Sequence, residues 1–172
     1  MNETNAIIYI HGKGGSAMES EHYKLLFPNC EVIGLDYQTF SDLKGTECGV
    51  AITPWDTGKE IYDAVKELKR RFENIILIAN SIGAFFSMNA GIDEMILKAF
   101  FISPIVDMEK LITDMMKWAN VTEQELESKG IIHTDFANKH QATLTVMDGG
   151  EHRFHTEEQM AFLDNWIKGV EV

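Results

Sequence analysis

A chain of 172 residues, 45% apolar and 24% charged, suits one compact domain with a sizeable core. Its formal net charge of −12 offers no basic stripe to displace phosphate counterions, which disfavours nucleic acid, anionic membranes and polyanionic substrates. Cys30 and Cys48 form no CxxC pair, and no His, Cys or acid spacing marks a metal site, so neither metal nor other cofactor is implied.

The first residues, MNETNAIIYIHG, lack the basic and long apolar regions of a secretory signal. No apolar run approaches the roughly 18 residues of a membrane span. A cytoplasmic protein with reduced cysteines is the expectation.

Residues 6–10 (AIIYI) read as a first strand and residues 32–35 (VIGL) as a second. Residues 39–54 are irregular and read as a surface loop. Ile61, Val65, Leu68 and Phe72 then recur at helical spacing across residues 56–72, with Thr57 and Glu60 in a capping-box pattern at the start. Residues 75–79 (IILIA) are a third strand and residues 81–90 a helix. Residues 99–102 (AFFI) are a fourth strand. Residues 107–119 form a helix with Asp107 as N-cap, and residues 122–129 form another, opened by Thr122 and Glu125 and closed by Gly130. Residues 142–147 (ATLTVM) are a fifth strand. The last helix, 156–168, opens on a Thr156/Gln159 box and carries a stripe of Met160, Leu163, Trp166 and Ile167.

The first, third and fourth strands are continuously apolar, as central strands of a parallel sheet buried on both faces must be. Strands alternating with helices predict a doubly wound α/β domain. We expect one domain over residues 1–172, with a five-stranded parallel sheet in the order 2-1-3-4-5. Residues 107–138 are expected to form a small helical cap. In such sheets function gathers at the carboxyl ends of the strands.

After the first strand comes His11-Gly12-Lys13-Gly14-Gly15-Ser16. It is not a P-loop, because Lys13 sits between glycines and no Ser or Thr follows it directly. Gly12, Gly14 and Ala17 partly match a dinucleotide fingerprint, with Asp36 as the acid about 20 residues on. That reading stays open. After the third strand comes Ala79-Asn80-Ser81-Ile82-Gly83, a serine between small residues where strand passes into helix. This is the context of a nucleophile elbow, although Ser81 as a simple helix cap competes with it. After the fifth strand, Asp148-Gly149-Gly150-Glu151-His152 places a histidine where a catalytic base belongs, in the order Ser then His. His155, directly before the last helix, is the weaker candidate.

Through IIYIHGKGGS, IANSIGA, FFISPIVDM and TVMDGGEHRFHTEEQMAFLDNWI, the chain resembles a small bacterial-type serine hydrolase, esterase-like, of the α/β-hydrolase superfamily. The resemblance runs from Ala6 to Ile167. It implies Ser81 as nucleophile, His152 as base, and backbone N–H groups of Lys13 and Ile82 as the oxyanion hole. It also implies a strand bearing the triad acid, and that strand is missing, with the gap falling near Phe136 and Ala137. Asp107 is the leading substitute, in competition with its capping role. Asp135 is second, and Glu151 stays open.

The expected activity is hydrolysis of small ester or thioester substrates through an acyl-enzyme. Gly12, Met115, Met116 and Trp118 are candidates to bind the substrate, although ordinary packing against the sheet is the favoured explanation of the last three. The rival reading is a catalytically impaired binding protein of the same fold, favoured by the missing acid. A sheet edge left open by the missing strand would favour a homodimer.

Overall fold

Isoleucine-rich strands form the centre of the sheet. β1 (Asn5–Ile10), β2 (Glu31–Leu35), β3 (Asn74–Asn80) and β4 (Lys98–Ile102) are all parallel and lie in the order β2-β1-β3-β4. The computed structural model describes residues 5–37, 54–107, 110, 111, 113, 145, 147, 150, 154 and 156–169. The chain divides into two compact units, Met1–Pro104 with Thr145–Val172, and Ile105–Leu144.

Within the first unit, Ile7 pairs with Val32 on one side and Ile76 on the other, and Leu77 pairs with Ala99. Ile7, Ile8, Ile10, Ile75, Ile76 and Ile78 are fully buried, because helices cover both faces. Tyr23, Leu163 and Ile167 pack on the face of Ile7, Tyr9, Ile76, Ile78, Phe100 and Ile102. Tyr23 comes from α1 (Glu21–Lys24), which follows a 3-10 turn at Ala17–Ser20. Leu163 and Ile167 come from α4 (Glu157–Lys168). The opposite face carries α2 (Pro54–Lys69) and α3 (Ile82–Met88).

Ile61, Val65, Leu68 and Phe72 are buried, the stripe that the spacing predicts. The helix begins earlier than its Thr57/Glu60 pattern suggests. Pro54 opens α2, its fixed φ suited to a first turn, so Thr57 lies inside the helix and is buried. α4 opens as expected: the Thr156 hydroxyl accepts from the Gln159 N–H at 3.2 Å, and the Gln159 side chain accepts from the Thr156 N–H at 3.4 Å.

The helical segment from Ala17 to Lys24 is not anticipated by the sequence reading. It lies hard against β2, where a Cβ on Gly34 would stand 2.1 Å from the Ala17 carbonyl oxygen. Its start is held by Asp36, whose Oδ1 accepts from the Ala17 N–H at 2.7 Å. Across the same face, His22 Nε2 and Asp164 Oδ1 meet at 2.7 Å and tie α1 to α4.

The predicted fifth strand falls outside the described residues except for Thr145 and Met147, neither of which is assigned to a strand. The predicted helix at 122–129 lies outside them as well. Among the described residues, no helix is long and apolar enough to cross a membrane.

Candidate active site

β3 passes into α3 through Ser81, whose backbone sits at φ 53°, ψ −119°. An L-residue held there stores about 1–3 kcal/mol of strain, and the surrounding structure has to impose it. Two contacts do so. The Ser81 N–H donates to the Ile102 carbonyl at the end of β4, at 2.9 Å. The following helix is drawn onto the end of β1, where a Cβ on Gly83 would stand 2.3 Å from the His11 carbonyl oxygen and 2.8 Å from that of Ile10. Only glycine fits that approach. Two residues before the serine, Ala79 is fully buried in the strand. The Ser81 hydroxyl makes no capping hydrogen bond to α3, so the helix-cap explanation of this serine does not hold.

The loop after β1 faces the serine. A Cβ on Gly12 would stand 3.1 Å from Ser81 Cβ and 3.5 Å from the Asn80 carbonyl oxygen. Gly12 and Gly15 close a turn through a 3.1 Å hydrogen bond from the Gly15 N–H to the Gly12 carbonyl. Gly14, at φ +74°, supplies the left-handed residue that this kind of turn requires at its third position. The turn's own hydrogen bond leaves the Lys13 N–H out. Ile82 is the first residue of α3, so its N–H has no partner within the helix.

His11 is buried and sets the base of this loop. Its Nδ1 lies 2.7 Å from the Gly12 carbonyl; a carbonyl only accepts, so Nδ1 carries the proton. The ring stacks on Tyr37 at 4.3 Å between centroids, and the Tyr37 hydroxyl donates to the His11 carbonyl. Burial pushes the Tyr37 phenol well above its usual pKa, with the Glu19 charge adding to the shift. The phenol therefore stays a donor.

No family model matches the chain, and no curated protein does. Solved structures do match. One is a lipase-esterase related protein from Clostridium acetobutylicum, with 20% identity and a TM-score of 0.51 over 73% of this chain and 54% of that one. Another, described as the non-heme bromoperoxidase BpoC of Mycobacterium tuberculosis, has 16% identity and a TM-score of 0.52 over 74% of this chain and 46% of that one. Both are α/β-hydrolase fold members. This chain has the α/β-hydrolase fold. It spans about half the length of these two solved structures.

In this hydrolase fold the structure brings together Gly12, Lys13, Ser81 and Ile82 at the carboxyl ends of β1 and β3. Asp107 belongs to the second unit. Its Oδ1 accepts from the Lys110 N–H at 2.8 Å and its carbonyl from the Leu111 N–H at 3.2 Å, so it caps a helical turn there. His152, Met115, Met116 and Trp118 lie outside the described residues, as do Asp135 and Glu151.

The partial dinucleotide fingerprint finds a different use. Gly12 and Gly14 serve the turn against Ser81, Ala17 opens a single 3-10 turn, and the Asp36 carboxylate is bound to the Ala17 N–H. That leaves neither a long helix N-terminus nor a ribose acid in the places a dinucleotide requires.

A polar cluster that the sequence pattern does not announce lies beside the loop. The Tyr9 hydroxyl donates to Glu19 Oε2 at 2.6 Å. Burial raises the Tyr9 phenol far above its usual pKa, the hydrogen bond to Glu19 raises it further, and a hydrogen bond to the Asn80 side chain opposes them. Tyr23 is also raised, first by burial and then by the Glu19 and Asp164 charges. The only sequence signal was a tyrosine inside an otherwise aliphatic strand, a polar tip that needs a partner once buried.

Proposed function

We propose that this protein is a serine hydrolase acting on small ester or thioester substrates through an acyl-enzyme. The observation that carries the reading is the strained backbone of Ser81 between Gly12 and Gly83. Strain of this kind gathers at functional sites, and the strand-to-helix turn that presents a nucleophile is one of them.

In the proposed reaction His152 removes the Ser81 hydroxyl proton as Oγ attacks the substrate carbonyl. The Lys13 and Ile82 N–H groups donate to the oxyanion, each such donor contributing about 3–4 kcal/mol in comparable sites. The tetrahedral intermediate collapses, and the imidazolium returns its proton to the leaving alcohol or thiol. Water then attacks the acyl-enzyme with His152 again as base, which releases the carboxylic acid and restores Ser81. Asp107 is assigned to orient the imidazole. Substrates are small acyl compounds, with Met115, Met116 and Trp118 assigned to the apolar site.

Labelling with a fluorophosphonate tests the reading. Wild type should react, whereas Ser81→Ala and His152→Ala should not. A wild type that fails to react would end it. One observation favours a second reading, a binding protein of weak or no activity: the Asp107 carboxylate is already engaged as a cap.

A further inference from the structure

Glu19 is a half-buried carboxylate that the hydrolytic steps do not use. Its Oε2 accepts from the Tyr9 hydroxyl at 2.6 Å. A Cβ on Gly15 would stand 2.7 Å from Oε1 and 3.0 Å from Oε2, so the carboxylate lies against the backbone of the loop that carries Lys13. Tyr9 lies on β1 and pairs with Ile78 on β3, two residues before Asn80. Asn80 directly precedes Ser81. The contacts run from the Gly15 backbone through Glu19 to Tyr9, in the strand beside the one that leads to Ser81.

We propose that Glu19 is a positioning residue: bound to Tyr9, it braces the Gly12–Gly15 turn against β1, the neighbour of β3, and so fixes the Lys13 N–H relative to Ser81. The proposal rests on the hydrolase reading for its consequence, but the bracing is a property of the loop itself. Without the brace the turn keeps its internal Gly15-to-Gly12 hydrogen bond and loses its fixed distance from the strand. A displacement of about 1 Å at such a site can lower rates about 100-fold.

Amide hydrogen exchange and fluorophosphonate labelling rates, measured on the same variants, test this. Tyr9→Phe and Glu19→Ala should each speed exchange at the Gly15 amide about tenfold or more relative to Ile76 and Ile78 in the core. Their effects should not add, because both remove the same bond. Glu19→Gln keeps an acceptor for the phenol and should restore most of the protection. Labelling of Ser81 should slow in step with exchange. Unchanged exchange at Gly15, or a rise shared equally by Ile76 and Ile78, would overturn the brace. So would Glu19→Gln behaving like Glu19→Ala. If wild type does not label at all, the hydrolase reading falls, and the exchange data still decide whether Glu19 holds the loop.

Discussion

Gly12 rests directly on Ser81: a Cβ added to the glycine would stand 3.1 Å from the serine Cβ. That distance is too short for comfort and too long to break the fold. Gly12→Ala should therefore leave the melting temperature nearly unchanged while lowering the labelling rate of Ser81 by about 10-fold or more, through displacement of the oxyanion loop. Equal labelling would show that the loop can give way without consequence.

Gly83→Ala should behave in the opposite way. Its new Cβ would meet backbone oxygens of His11 and Ile10 at 2.3 and 2.8 Å, atoms that no rotamer change can move. A loss of about 1–3 kcal/mol or more in urea unfolding is expected, in line with overpacked cores.

Strain at Ser81 predicts an ordering of two inactive variants. Ser81→Ala keeps a Cβ at φ 53° and keeps the strain, whereas Ser81→Gly removes it. The glycine variant should be more stable than the alanine variant by about 1 kcal/mol, with neither labelled by the probe. Glycine is elsewhere the less stable choice, so the reversal is diagnostic.

Much of this framework is legible in the sequence, and the reason is burial. Runs such as AIIYI and IILIA have apolar residues on both faces, so the place of these strands inside the sheet is written into hydropathy. The Thr156/Gln159 box marks its helix because the cap is local chemistry. The Thr57/Glu60 box misleads for the same reason: Pro54 offers an earlier start, and a local pattern says nothing of its competitor. The helical segment at 17–24 is too short for a period to show. The Tyr9–Glu19 bond joins residues whose relation depends on how the loop folds back, which spacing does not encode.

Asp107 separates its two roles by substitution. Asparagine caps a helix about as well as aspartate, so Asp107→Asn should keep the bond to the Lys110 N–H and leave stability within about 0.5 kcal/mol. If Asp107 also orients His152, labelling should fall steeply, toward the roughly 10⁴-fold loss that the equivalent change causes in trypsin. Loss of activity at unchanged stability is the outcome expected; unchanged labelling would make Asp107 a cap and nothing more.

The buried phenols set an alkaline limit on stability. Tyr9, Tyr23 and Tyr37 all have pKa values raised above the usual value near 10, chiefly by burial. A group whose folded pKa is raised contributes its stability below the unfolded pKa and loses it as pH climbs toward the folded one. Stability should accordingly fall above about pH 10, where the unfolded chain releases these protons and the folded chain keeps them. Ultraviolet titration should show three of the four tyrosines ionising only as the protein unfolds.

One face of β1, which precedes the other described elements in the chain, is among the last to be sheltered. Ile7 and Tyr9 wait for Leu163 and Ile167, and His22 waits for Asp164. A growing chain must carry that greasy surface through more than a hundred residues of translation before α4 closes over it, a span of 142 positions for the histidine and its acid. Nascent molecules stalled or clipped before residue 157 would thus expose an aliphatic sheet face to the cell, the kind of surface that chaperones hold and proteases find.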